Sequence, residues 1–131
     1  RDRNPHHMPA LQSAIDSALV AARAAADKLA TDIVIIDVSE QLVITDCFVL
    51  CSGANELQVR GIVNAIEEAL HVAGEKRLRK EGAGEATWIL IDYGDIVVHV
   101  QLAEERIHYA LERLWKDCPL IELPSSINTE R

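Results

Sequence analysis

Residues 87–101 constrain this chain more than any other stretch. Trp88-Ile89-Leu90-Ile91-Asp92 and Asp95-Ile96-Val97-Val98-His99-Val100-Gln101 flank Tyr93-Gly94. Two β-branched runs around a glycine-bearing dipeptide predict a hairpin with a two-residue loop, although Tyr is an unusual first loop residue. Pairing Asp92 with Asp95 sets a register, and strand alternation then sorts the side chains onto two faces. Ile89, Ile91, Ile96, Val98 and Val100 share one face, which is wholly aliphatic and so reads as core. Trp88, Leu90, Asp92, Asp95, Val97, His99 and Gln101 share the other. That face mixes aromatic, aliphatic and acidic groups, as docking surfaces do. Together with Tyr93 at the loop, it is the candidate partner-binding surface, with Trp88 expected to stand largely exposed on it.

The rest of the chain supplies what such a hairpin packs against. Leu11, Ile15, Leu19, Ala22, Ala26 and Leu29 recur at helical spacing and predict a helix over 9–29 with that stripe buried. The β-branched run Ile33-Val34-Ile35-Ile36 predicts a strand over 32–38, and 43–51 predicts a second, broken by Ser52-Gly53-Ala54. Asn55 with Gln58 three residues on is a capping pattern. It opens a second helix with the stripe Val59, Ile62, Ile66, Ala69 and Leu70, stopped at Gly74. A short edge strand is weakly signalled around 77–80. After the hairpin, Glu104 and Glu105 open a last helix, with Ile107, Leu111, Leu114 and Trp115 as its buried stripe and Pro119 as its end.

Three spans follow. Residues 1–8, a truncated His run before Met8, read as a cloning remnant. Residues 9–119 read as a single domain, and 120–131 as a loose tail. With 131 residues, 49% of them hydrophobic, one core is affordable. The formal charge is −8. Leaving out Arg1, Arg3 and Asp2 takes the basic count from 13 to 11 and the acidic count from 21 to 20, a net charge of −9. Phosphate backbones repel such a domain, which argues against autonomous nucleic-acid binding and suits a basic protein partner. The short run Arg77, Arg79 and Lys80 reads as a solvated edge. No apolar run is long enough to span a membrane.

Catalytic and metal chemistry find little support. Asp92 and Asp95 are spaced as hairpin-flanking turn residues. Ser52-Gly53 before a helix partly resembles the phosphate-holding turn of a nucleotidyltransferase. No Asp-x-Asp pair follows it, however, and no Lys or Arg stands beside it. Cys47, Cys51 and Cys118 are too few for a disulfide framework. Cys47 and Cys51 share a strand face and read as small buried hydrophobes of a reducing cytosol. His99 reads as packing on Trp88 across the hairpin. His71 and His108 have no partner at metal spacing, and no nucleophile elbow is present. The expectation is a chain that is not an enzyme and holds no metal and no cofactor.

A specific combination of motifs carries a resemblance. Thr45-Asp46-Cys47-Phe48-Val49-Leu50-Cys51-Ser52-Gly53, Gln58-Val59, the segment from Trp88 to Val100, Glu105-Arg106, Tyr109 and Leu111-Glu112-Arg113-Leu114-Trp115 appear in this order. From about Leu11 to Pro119 the chain resembles the ribosomal silencing factor family, also called Iojap-related. The resemblance implies an α/β fold, a mixed β-sheet flanked by helices, nucleotidyltransferase-like without its catalytic residues. It implies a cytoplasmic translational repressor that docks on large-subunit ribosomal protein L-fourteen. There it would block joining of the small subunit and damp translation under nutrient limitation. It also implies a homodimer when free. Gln101 stands where many relatives carry Phe or Met. Two other readings remain beside it, a large-subunit assembly or dimerisation module and a vestigial nucleotidyltransferase.

Overall fold

A computed structural model describes residues 9–127; the expected remnant 1–8 and the last residues, 128–131, lie outside the described residues. The element order is α1 (Gln12–Asp27), β1 (Thr31–Asp37), β2 (Cys47–Gly53), α2 (Glu56–Val72), β3 (Arg79–Glu81), β4 (Trp88–Asp92), β5 (Ile96–Leu102), α3 (Ala103–Tyr109) and α4 (Leu111–Leu114). The strands form one mixed sheet in the order β1-β2-β5-β4-β3. β2 and β5 run parallel, and the other neighbours are antiparallel. α1 and α2 cover one face of this sheet, and the segment after β5 crosses the other.

The hairpin sets the core, with one correction to its loop. Tyr93 N donates to Ile96 O at 2.9 Å, so the loop is Gly94-Asp95 and not Tyr93-Gly94. Gly94 has φ +88°, a value a two-residue loop requires early and Tyr resists. The ladder therefore pairs Trp88 with Gln101, Ile89 with Val100, Leu90 with His99 and Ile91 with Val98. This register differs from the expected one by two residues. An even shift preserves side-chain facing, and Ile89, Ile91, Ile96, Val98 and Val100 are all buried in the main core. Tyr93 joins them on the core face, which removes it from the docking surface. Burial and the nearby Glu67 carboxylate push its phenol up to about 12.

α2 follows from its sequence closely. Asn55 accepts from Gln58 N at 2.8 Å, and Gln58 Oε1 accepts from Ala54 N at 2.7 Å. The same amide donates to Lys28 O and Leu29 O and so ties the start of α2 to the end of α1. Val59, Ile62, Val63, Ile66 and Leu70 are its buried residues.

α1 differs from its expected stripe. Its buried residues are all alanines, Ala14, Ala18, Ala21, Ala22, Ala24 and Ala25. Ile15 and Leu19 pack only partly, and Leu11 and Leu29 are exposed beyond its ends. Small side chains let the helix lie close to the sheet, and the larger ones fill its flanks. Two buried carboxylates hold the approach to this helix: Asp37 accepts from Ala10 N at 3.2 Å and Asp46 from Leu11 N at 2.8 Å.

β2 begins at Cys47, four residues later than expected, and runs through Ser52 and Gly53. Val43 and Ile44 instead lie in the preceding loop, 74% and 79% exposed. The last helix is corrected more sharply. It breaks at Ala110 into α3 and α4, and Ile107 and Leu114 are 80% and 74% exposed. Leu111 and Trp115 are the stripe residues that pack, half-buried, on Ile36, Val38, Leu50 and Cys118.

The expected loose tail is also corrected for the part described. Asp37 N donates to Pro119 O, Leu120 bridges Ile36, and Ile121 N donates to Ile35 O. Ile127 is buried in the main core. This segment covers the open edge of β1. At the opposite edge β3 is short and charged, another way of blunting an edge.

Candidate docking groove

The outer face of the hairpin is left open beyond α4. Between the loop 42–45 and residues 78–79 lies a groove of about 410 Å³. Phe48, Leu90, Val97 and His99 line it from β2, β4 and β5, with Leu42, Ile44 and Leu78 around them. Asp92 and Arg79 supply its charge and pair with each other at 3.5 Å. Arg79 also pairs with Glu81, and Arg77 and Lys80 with Glu67, so acids neutralise the basic run on this edge.

The sequence-predicted residues divide. Leu90, Asp92, Val97 and His99 line the groove. Trp88 is half-buried rather than largely exposed, and it shares a smaller concavity with Leu90, Gly82 and Glu81. Its Nε1 donates to His99 Nδ1 at 3.1 Å. Asp95 lies in the hairpin loop, where its backbone oxygen accepts from Asp46 N and Cys47 N; it does not line the groove. Tyr93 is on the opposite face. Gln101 is fully buried and presents no surface, because β5 runs on beneath α3 at that point. Sequence reasoning missed Phe48, Leu42, Ile44, Leu78 and Arg79 as lining residues. Alternation along β2 places Phe48 with Leu50, but only the parallel β2–β5 pairing brings it beside Val97.

His99 is almost fully buried between Trp88 and the edge of Phe48, whose ring centroid is 5.2 Å away. Accepting at Nδ1 places the neutral ring's proton on Nε2. Burial, and then the Arg106 guanidinium, push its pKa down to about 4 from 6.5. The fold thus holds the neutral form. Above pH 6.5 the folded and unfolded chains are both neutral here, and stability is unaffected by this group. Between pH 6.5 and about 4 the unfolded chain binds a proton that the folded chain refuses, so stability falls; below about 4 the loss levels off. From pH 7 to pH 5 this group is expected to remove about 2 kcal/mol. Urea melts at the two pH values, set against His99→Gln, check this. An identical pH difference in the variant rules His99 out as the source.

The site offers little for covalent chemistry. The Cys51 thiol is buried and pushed up to about 12, chiefly by desolvation, so it is no nucleophile. Among the described residues no group of three or more His, Cys, Asp or Glu side chains is placed to hold a metal ion. Among them, too, no helix is long and apolar enough to cross a membrane.

Fold and groove together define a class, a mixed α/β domain presenting an open, largely apolar groove on one face of its sheet. Residues 11–131 match the family model for ribosomal silencing factor during starvation, and the chain belongs to that family. It is 39% identical over 109 residues to ribosomal silencing factor RsfS of Bacillus subtilis, covering 83% of this chain and 92% of the relative. A mouse relative called mitochondrial assembly of ribosomal large subunit protein 1 is 32% identical over 89 residues, 66% of this chain and 39% of that protein. A crystal structure from Bacillus halodurans superposes with a TM-score of 0.72 at 35% identity, covering 86% of this chain and all of that one. Membership supports a ribosome-associated silencing role, and the family is not a known enzyme family.

Proposed function

We propose that this chain docks through the groove onto a basic protein of the large ribosomal subunit, L-fourteen, and sterically blocks joining of the small subunit. The supporting observation is the groove itself, an apolar floor of Phe48, Leu90 and Val97 on the part of the outer sheet face that lies beyond α4. Apolar anchors ringed by charge are the usual make-up of a binding hot spot. The net charge of −8 draws a basic partner by long-range attraction. Occlusion needs only occupancy of the joining surface. On this reading the protein acts in the cytoplasm as a translational repressor under nutrient limitation, and the free chain pairs with a second copy.

Sedimentation with purified large subunits tests the reading. Binding to free large subunits with little binding to joined ribosomes is the expected result. Leu90→Ala is expected to weaken binding about tenfold or more if Leu90 is a hot spot. Equal binding to joined ribosomes sinks the occlusion mechanism. Unchanged binding of both Leu90→Ala and Val97→Ala moves the docking surface elsewhere. The mouse relative's name favours a second reading, a role in large-subunit assembly. Association with immature large-subunit particles in preference to mature ones distinguishes it.

A further inference from the structure

Residues 103–118 cross the outer sheet face between two fixed points. At one, Leu102 N donates to Thr87 O at 2.9 Å. At the other, Leu120 bridges Ile36 and Ile121 N donates to Ile35 O at 2.9 Å. Between them, among the described residues, only Arg106 and Cys118 are buried, with Leu111 and Trp115 partly packed. α3 and α4 have seven and four residues, and α4 buries no residue fully. They meet at Ala110, with φ 45° and ψ 57°, a left-handed conformation that a Cβ makes unfavourable. An ion pair closes this elbow: Arg106 Nε donates to Glu112 Oε2 at 2.9 Å.

The seat of the elbow is incompletely satisfied. Arg106 is buried, and its Nη1 donates to Ser52 Oγ at 3.1 Å. Among the described residues, Arg106 Nη2, both amide atoms of Gln101 and Glu112 Oε1 are buried with no hydrogen-bond partner. Each such group raises the free energy of the arrangement that buries it. Opening the elbow would bring these atoms to solvent.

The same segment touches the groove. Trp115 stands edge-on to Phe48 with ring centroids 5.3 Å apart. Phe48 lines the groove on one side and supports Trp115 on the other. We propose that residues 103–118 form a hinged cover, latched by Arg106–Glu112 and bending at Ala110, that swings off Phe48 and Leu50 when a partner fills the groove. Its release lengthens the docking surface across β1 and β2. That release rests on the docking reading above; the hinge itself does not.

Hydrogen–deuterium exchange tests both parts, first on the free full chain and then on its complex with purified large ribosomal subunits. In the free chain, amides of 103–118 are expected to open as a unit, faster than those of β2 and β5. Glu112→Ala is expected to speed that unit about tenfold while leaving the strands unchanged. Ala110→Gly, which relieves the left-handed cost, is expected to slow it. In the complex, amides of 88–99 gain protection while those of 103–118 lose it. Exchange of 103–118 in step with the strands, or uniform acceleration of the whole chain by Glu112→Ala, overturns the hinge. Protection of 103–118 together with the groove overturns the release. If no complex forms, the docking reading and the release fall together, and the free-chain measurements still decide the hinge.

Discussion

Replacing Gly82 by alanine is expected to cost about 3 kcal/mol or more, among the largest losses a single added methyl can cause. Gly82 follows β3 and has φ +87°, where an L side chain is already strained. A Cβ there would lie 2.0 Å from Trp88 O and 3.1 Å from Trp88 C. Both contacts are backbone, so no side-chain rotation relieves them. The connection must move as a body, and it is otherwise held: Ala86 N donates to Gly82 O, and Arg60 donates to Ala83 O and Gly84 O. The displaced strand start carries Trp88, so docking is expected to weaken along with stability. Thermal melting checks the first effect and large-subunit sedimentation the second. A variant that melts like the parent shows that the approach of Gly82 to Trp88 is not fixed in solution.

Ile91→Ala is expected to cost about 2–5 kcal/mol through lost burial and the cavity left behind. Ile91 is fully buried, opposite Val98 on one side and Lys80 on the other. Its loss is expected to lower the denaturation midpoint while leaving the residual folded protein able to bind. Leu90→Ala, one residue away on the outer face, reverses the pattern. Trp88→Ala does not belong cleanly with Leu90, because it strips His99 Nδ1 of its donor and leaves that buried nitrogen unpaired. Leu90→Ala with Val97→Ala is therefore the sharper probe of docking, since neither touches that bond. If Ile91→Ala abolishes binding without lowering the midpoint, the two faces are exchanged.

The two faces were legible because pleat parity survives an even slip in register. The loop was misplaced by one position and the ladder by two residues, yet Ile89 to Val100 kept their sides. α2 was legible because its cap, stripe and stop agree with one another. α1 was harder. The reading assigned burial to large residues, whereas close packing on the sheet selected alanines. The break at Ala110 had no signal, since neither Gly nor Pro marks it and the apolar spacing runs through it. The groove was half legible. Its β4 and β5 residues follow from local alternation, but Phe48 and Leu78 arrive through pairings between distant segments. Gln101 was misplaced for the same kind of reason, because what lies above a strand end depends on where the next helix turns.

The strip of backbone from Pro119 to Ile121 along β1 has a consequence for how the chain is made. The residues that close the outer edge of β1, 119–121, are made about eighty positions after the strand ends at Asp37. At roughly 10 residues per second the edge stays unpaired for several seconds in every nascent chain. During that interval its free amides and carbonyls are open to other growing chains. Crowding on a polysome is then a condition that exposes this protein to misassembly.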